Sequence, residues 1–321
     1  MSGAVWEKPV DRVAARAGRP AARARRRPVW EEEPTPLGRA AKGVVVAVVV
    51  LAVLFPLYVV VLTSVSPQAA ITEAGGLVVV PDGFSLAAYS ELLAGGVVSR
   101  AVLVSTGITA VGTVFSTALT LLAAYGLSRP GSFAHRPLLF VVLLTFLFGP
   151  GMIPTYLLVS SLGLLDTYAA LVLPGAVAAF NLVVLRSFFL SIPQELVDSA
   201  RIDGASEFGI LRRIVLPLSK AVTAVIALFY AVGYWNAFFS AFLYLNTPEK
   251  WPLQLVLRQY VLQGQPIPGT GGEAVIEGAA PLPTLAVKMA VVVIAVVPVL
   301  VVYPFVQKHF TKGVILGAVK G

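Results

Sequence analysis

Six apolar runs, each long enough to cross a bilayer, constrain this chain more than any other feature. At 1.5 Å of rise per residue a hydrocarbon core about 30 Å thick needs about 20 residues of helix. The runs lie near Gly43 to Thr63, Ala101 to Leu127, Leu138 to Ser160, Thr167 to Phe189, Ala221 to Asn246 and Thr284 to Val306. With 57% hydrophobic and 12% charged residues and a mean hydropathy of +0.86, the remaining polar surface is too small for an ordinary soluble domain. The expected fold class is all-α: a multi-pass membrane protein with six transmembrane helices.

Charge orients it. The net charge of +8 does not point to nucleic acid, because ten of the 24 Lys and Arg precede Gly43, directly before an apolar run. With the N-terminus inside, twenty of the 24 fall on the inner side and only Arg100, Lys250, Arg258 and Lys288 on the outer side. That bias predicts both termini in the cytoplasm of a cell membrane. Residues 1–40, rich in Ala, Arg, Pro and Glu, read as a disordered basic cytoplasmic tail, and residues 41–321 as one transmembrane domain. The cluster Arg23 to Arg27 reads as a positive-inside anchor, and no small-residue cleavage site marks a signal peptide.

Catalytic chemistry finds little purchase. There are no cysteines and two histidines, His135 and His309, each beside basic residues at the end of an apolar run. No metal spacing or nucleophile constellation appears, so neither an enzyme nor a metal site is expected. The glycine cluster between Gly264 and Gly278 lacks the GxxxxGK[ST] spacing of a P-loop. A self-sufficient ion-coupled transporter is also disfavoured, because no carboxylate lies well inside a run and Asp166 sits at an outer boundary.

Several residues mark a pathway. Gly149, Pro150 and Gly151, with Pro154, interrupt the third run, and broken backbone at membrane depth belongs against protein or a watery cavity. Tyr230, Tyr234, Trp235 and Asn236 in the fifth run and Asn181 in the fourth offer amides and aromatic faces that suit sugar hydroxyls and ring faces; interhelical packing competes with that reading. Outside, Ser85 is placed to cap a short helix bearing Leu86, Tyr89, Leu92 and Leu93.

The inner segment Glu195 to Leu218, ELVDSARIDGASEFGILRRIVLPL, is too charged for hydrocarbon. Its pattern predicts a helix from Gln194 to about Asp203, a turn at Gly204, and a second helix from Ala205 to Val215 ended by Pro217. Phe208, Leu211, Ile214, Val215 and Leu218 would form one apolar side. Asp198-Ser199-Ala200, three residues, Gly204, nine residues, then Ile214, Leu216 and Pro217 resembles the EAA loop of ATP-binding-cassette importer permeases, with Asp-Ser-Ala for Glu-Ala-Ala. Ala205 and Phe208 fall within that loop. From Gly43 to Gly321 the chain is similar to the MalG-like carbohydrate permease family. The stretches AAYGLSRPGSF, GMIPTYLLVSSLGLLDTYAALVLPG, LFYAVGYWNAFFSAFLYLN and YPFVQKHFTKGVILGAVKG resemble its aldouronate and complex-polysaccharide branch.

The resemblance implies a type I importer fold with a cytoplasmic coupling helix, a second permease subunit, two ATPase subunits that bind ATP and Mg, and an external solute-binding lipoprotein. It implies uptake of an oligosaccharide by alternating access, with no cofactor bound by this chain. A peptide or a glycerophosphodiester is the alternative solute.

Overall fold

The computed structural model describes residues 35–94, 96–129, 131–259 and 284–318. The basic tail to residue 34, most of the second outer segment and Lys320 lie outside the described residues. Every regular element among the described residues is helical. The described residues up to Leu54 form a unit separate from the rest. There α1 (Pro36–Ser64) begins seven residues before the expected run. Pro36 opens the helix with the φ it needs and no amide to leave unpaired, and Thr35 Oγ1 accepts the Gly38 amide at 3.1 Å.

Among the described residues three helices are long and apolar enough to cross a membrane: α1, α4 (Val97–Ser128) and the first part of α15 (Leu285–Ala318). Three further candidates are bent pairs, so the span count there is between three and six. Pro298 and Pro304 lie inside α15 without ending it.

The interruption expected at Gly149 to Pro154 is present, and the fourth candidate is bent as well. In the third, α5 (His135–Leu147) and α6 (Met152–Ser161) meet at 119°, a fold-back rather than a kink. Pro150 supplies no amide to continue α5, and Gly151 adopts φ 81°, which only glycine reaches without strain. In the fourth, α7 (Ala169–Val172) and the turn Leu173–Gly175 bend by 50° into α8 (Ala179–Leu190).

The fifth was expected to run to Asn246. Instead its helix, α12 (Lys220–Trp235), stops at Trp235, Asn236 to Phe238 unwind, and the short α13 (Phe239–Tyr244) follows. The Asn236 side chain donates back to the Val232 carbonyl at 2.9 Å, competing for an acceptor of the last turn.

A short helix, α3 (Ala87–Ala94), stands where one was expected after Ser85. Ser85 Oγ accepts the Ala87 amide at 3.3 Å, Leu92 is buried, and the helix packs on α4 and α15. Leu86 and Leu93 remain exposed. Two more short helices, α2 (Gln68–Glu73) and α14 (Leu253–Leu257), also pack on α15.

The main core gathers α4, α8, the elbow between Glu195 and Leu218, and α12. Lipid is as apolar as leucine, so helices associate here through close packing and hydrogen bonds rather than water exclusion. Gly112, Ser116, Thr120 and Ala124 repeat every fourth residue on α4 and are all buried, which lets α12 approach. Asp166, at φ 57°, forms a clasp. Its carboxylate accepts the Asn246 and Thr247 amides at 3.0 Å each, the Thr247 hydroxyl at 2.6 Å and Lys250 Nζ at 2.7 Å.

Candidate coupling elbow and pathway cavity

The elbow between Glu195 and Leu218 is built around one glycine. Its first helix, α9, covers Gln194–Ile202, close to expectation. It ends in a Schellman turn: the Ala205 amide donates to the Ala200 carbonyl at 2.9 Å and the Gly204 amide to the Arg201 carbonyl at 3.0 Å. Gly204 takes φ 79°, and nothing lies within 4 Å of where a Cβ would stand. Backbone conformation alone therefore demands glycine there. Asp198 on α9 accepts from Gln194 Nε2 at 3.3 Å and pairs with Arg201 Nη1 at 3.6 Å. Ser199 Oγ donates to the Glu195 carbonyl at 2.9 Å.

The second helix opens with α10 (Glu207–Ile210), two residues later than expected, because Ser206 caps it through a 3.2 Å bond from the Gly209 amide. It passes through a π turn at Leu211–Val215 and continues as α11 (Leu216–Leu218), so Pro217 does not end it. A proline ring clashes with the carbonyl four residues back, and a widened turn relieves that clash. The extra residue also rotates the register. Ile210, Leu211 and Val215 are buried, Ile214 and Leu216 partly so, while Phe208 and Leu218 are 67% and 50% exposed. Leu218, beyond the π turn, thus leaves the apolar side assigned to it, and Phe208, ahead of the turn, is off that side as well. Ile202 on α9 is likewise 87% exposed, and Arg212 and Arg213 on the second helix are exposed.

Glu207 anchors the elbow to α4. Tyr125 Oη donates to Glu207 Oε2 at 2.6 Å and to the Glu207 carbonyl at 3.1 Å. Arg201 donates to Oε1 through Nε at 3.1 Å and Nη2 at 2.7 Å. The Tyr125 hydrogen bond holds the Glu207 carboxyl below its ordinary range, partial burial pushes it back up, and Arg201 lowers it further. Neither partner was foreseen, since Tyr125 is far away in sequence and Arg201 lies on the other helix of the elbow.

A cavity of about 390 Å³ lies between the fourth and fifth candidate spans, lined by Asn181, Tyr230, Tyr234, Asn236, Phe238 and Ser240 among others. Four of the expected pathway residues therefore meet. Trp235 does not line it: its indole Nε1 donates to the Ala295 carbonyl at 3.0 Å and the ring is buried against α15. Gly149, Pro150 and Gly151 are exposed at the fold-back, outside the lining.

The tyrosines show their rings, not free hydroxyls. Tyr230 Oη contacts Thr120 Oγ1 at 2.6 Å and accepts the Ala178 amide at 2.9 Å. Tyr234 Oη contacts Ser116 Oγ at 2.6 Å. Their rings stack, with centroids 6.4 Å apart. Phe238 and Ser240 were missed because the run gives no sign that the helix unwinds. Arg258 sits over the Phe238 ring at 4.4 Å.

Residues 116–316 match the family described as binding-protein-dependent transport system inner membrane component. The chain is 50% identical over 244 residues to the polygalacturonan/rhamnogalacturonan transport system permease protein YtcP of Bacillus subtilis, covering 76% of this chain and 85% of that one. It is 49% identical over 241 residues to Protein LplC of the same organism, covering 75% and 81%. A crystal structure of a bacterial ABC transporter involved in the import of the acidic polysaccharide alginate matches with a TM-score of 0.78 and 30% identity, over 88% of this chain and 99% of that one. The all-helical frame, the EAA-spaced elbow and these matches agree: the chain belongs to the family of binding-protein-dependent transport system inner membrane components, and is a transport subunit rather than an enzyme.

Proposed function

We propose that the chain is one permease subunit of an ATP-driven importer for an acidic oligosaccharide, paired in the membrane with a second permease. Two ATPase subunits carry ATP and Mg, and a solute-binding lipoprotein delivers the solute from outside. The observation that carries this reading is the elbow. It is a glycine-hinged, capped pair of helices that buries one side in the core and turns Ile202 and Phe208 outward. Apolar side chains with neighbouring cations fit a cleft on a protein partner, and the sequence has no P-loop of its own.

Transport then needs no covalent step. Closure of the ATPases moves the elbow, and the cavity opens to each side in turn. The positive-inside bias supports cytoplasmic termini with the elbow on the same side. Asn181 and Ser240 offer hydrogen bonds to hydroxyls, and the faces of Tyr230, Tyr234 and Phe238 suit sugar rings. Arg258, stacked on Phe238, supplies positive charge beside the cavity for a carboxylated sugar, in keeping with the acidic polysaccharides named for its relatives.

The test is uptake into proteoliposomes holding the complete complex. Labelled oligogalacturonide should enter only with ATP inside and the binding protein outside. Uptake by the isolated chain driven by an ion gradient would contradict the proposal.

A further inference from the structure

An elbow in this position has two covalent neighbours, the fourth candidate span before it and the fifth after it. The structure fastens it to a third element. Tyr125 stands near the inner end of α4 and is buried, and its hydroxyl reaches both the carboxylate and the backbone carbonyl of Glu207. Arg129, just past the end of α4, lies over the Tyr125 ring at 4.3 Å and places Nε 3.9 Å from Glu207 Oε2. Arg201 closes the set from α9. The Leu127 carbonyl at the same end of α4 accepts Arg186 Nε of α8 at 2.8 Å.

The exit into α12 is built differently. It turns through 86° at Ser219, shortly after the π turn. Three parts, the elbow and the ends of α4 and α8, are thus tied by charge-assisted bonds, while the fourth leaves through a bend.

We propose that Glu207 is a positioning residue through which the elbow drives α4, so that the second candidate span receives the partner's stroke together with the two spans flanking the elbow. The inference rests on the proposed function, since it takes the elbow to be the moved part. An exposed Glu–Arg pair alone is too weak to transmit force. What distinguishes this one is that the buried Tyr125 donates to the same carboxylate and Arg129 stands 3.9 Å from it, because linked polar contacts hold a group more firmly than any one of them alone. The Gly112 to Ala124 stripe then carries any shift of α4 directly to the cavity wall, where Ser116 and Thr120 hold Tyr234 and Tyr230.

The experiment compares sugar molecules imported per ATP hydrolysed in proteoliposomes of the full complex, with oligogalacturonide as the probe. Glu207→Gln should lower that ratio by about tenfold, the effect of losing a charged hydrogen bond, and Tyr125→Phe should lower it in the same direction. The chain has no cysteine, so a Tyr125→Cys, Glu207→Cys pair can be bridged by a short bismaleimide. Bridging should restore the ratio toward the wild-type value, which also shows that the pair had folded and assembled. Wild-type ratios in the single variants, or loss of the remaining uptake on bridging, would overturn the inference: the first means that the strut is idle, the second that elbow and α4 must part. A wild-type complex that hydrolyses ATP and moves no sugar contradicts the functional reading itself, and is seen before any variant is made.

Discussion

Tyr230 closes the break in the fourth candidate span: its hydroxyl accepts the backbone amide of Ala178, 52 residues away, at 2.9 Å. That amide opens α8 at the wall of the cavity, where Ala178 is part-buried. Tyr230→Phe should therefore cost about 1 kcal/mol, the net contribution of one hydrogen bond, measured as a lower thermal midpoint of the purified protein in detergent. Because Thr120 shares the same hydroxyl, Thr120→Val combined with Tyr230→Phe should cost less than the two single changes added.

Gly112 is required by close approach. A Cβ there would stand 2.8 Å from Cε2 of Tyr234, whose ring is held by Ser116 and by stacking on Tyr230. Gly112→Ala should cost about 1–3 kcal/mol, the range for overpacking a filled contact. Gly107 on the same helix has no atom within 4 Å of where a Cβ would stand, so Gly107→Ala serves as the control and should not lower the midpoint.

What could be read in advance follows from the range of each signal. Length and hydropathy located the apolar runs, and the Gly204 turn was foreseen because a Schellman end is a matter of a few adjacent residues. The exposure of Leu218 was not, because the π turn at Leu211–Val215 changes the helical period ahead of it. The pairing of Glu207 with Tyr125 joins residues 82 apart, and nothing in either local pattern names the other. The stripe Gly112, Ser116, Thr120, Ala124 was legible in principle as small residues at helical spacing. The unwinding at Asn236 was not, since Phe238 and Ser240 beyond it continue the same apolar run.

Gly204 separates conformation from space. With nothing near a Cβ and φ at 79°, Gly204→Val should cost about 1–2 kcal/mol through backbone strain alone, while Gly204→Asn, which tolerates this region, should cost less. Misdirection of the elbow should lower binding-protein-stimulated ATPase activity of the complex in the same order. Normal stimulation in Gly204→Val contradicts the need for this turn.

Asp166 makes a prediction about acid. Lys250, then the hydroxyl and amide of Thr247, hold its carboxyl well below the usual carboxylate range. A depressed folded-state pKa contributes stability that is complete above the unfolded value and is lost only as pH falls through the folded one. The difference in thermal midpoint between wild type and Asp166→Asn should stay constant from neutral pH down to about pH 4 and shrink below it. Asn is the informative replacement because it also tolerates the left-handed backbone at this position. A difference that disappears already near neutral pH contradicts the clasp.

The central claim is that the elbow is moved by a partner that grips its outward face. Ile202 and Phe208 are exposed, so Ile202→Glu with Phe208→Glu leaves the buried side intact and should not disturb folding. The decisive measurement is ATP-driven uptake of oligogalacturonide by the complex carrying this pair, alongside recovery of the ATPase subunits with the purified permeases. Loss of uptake together with loss of the ATPases is predicted; wild-type uptake with the ATPases still bound would contradict the account.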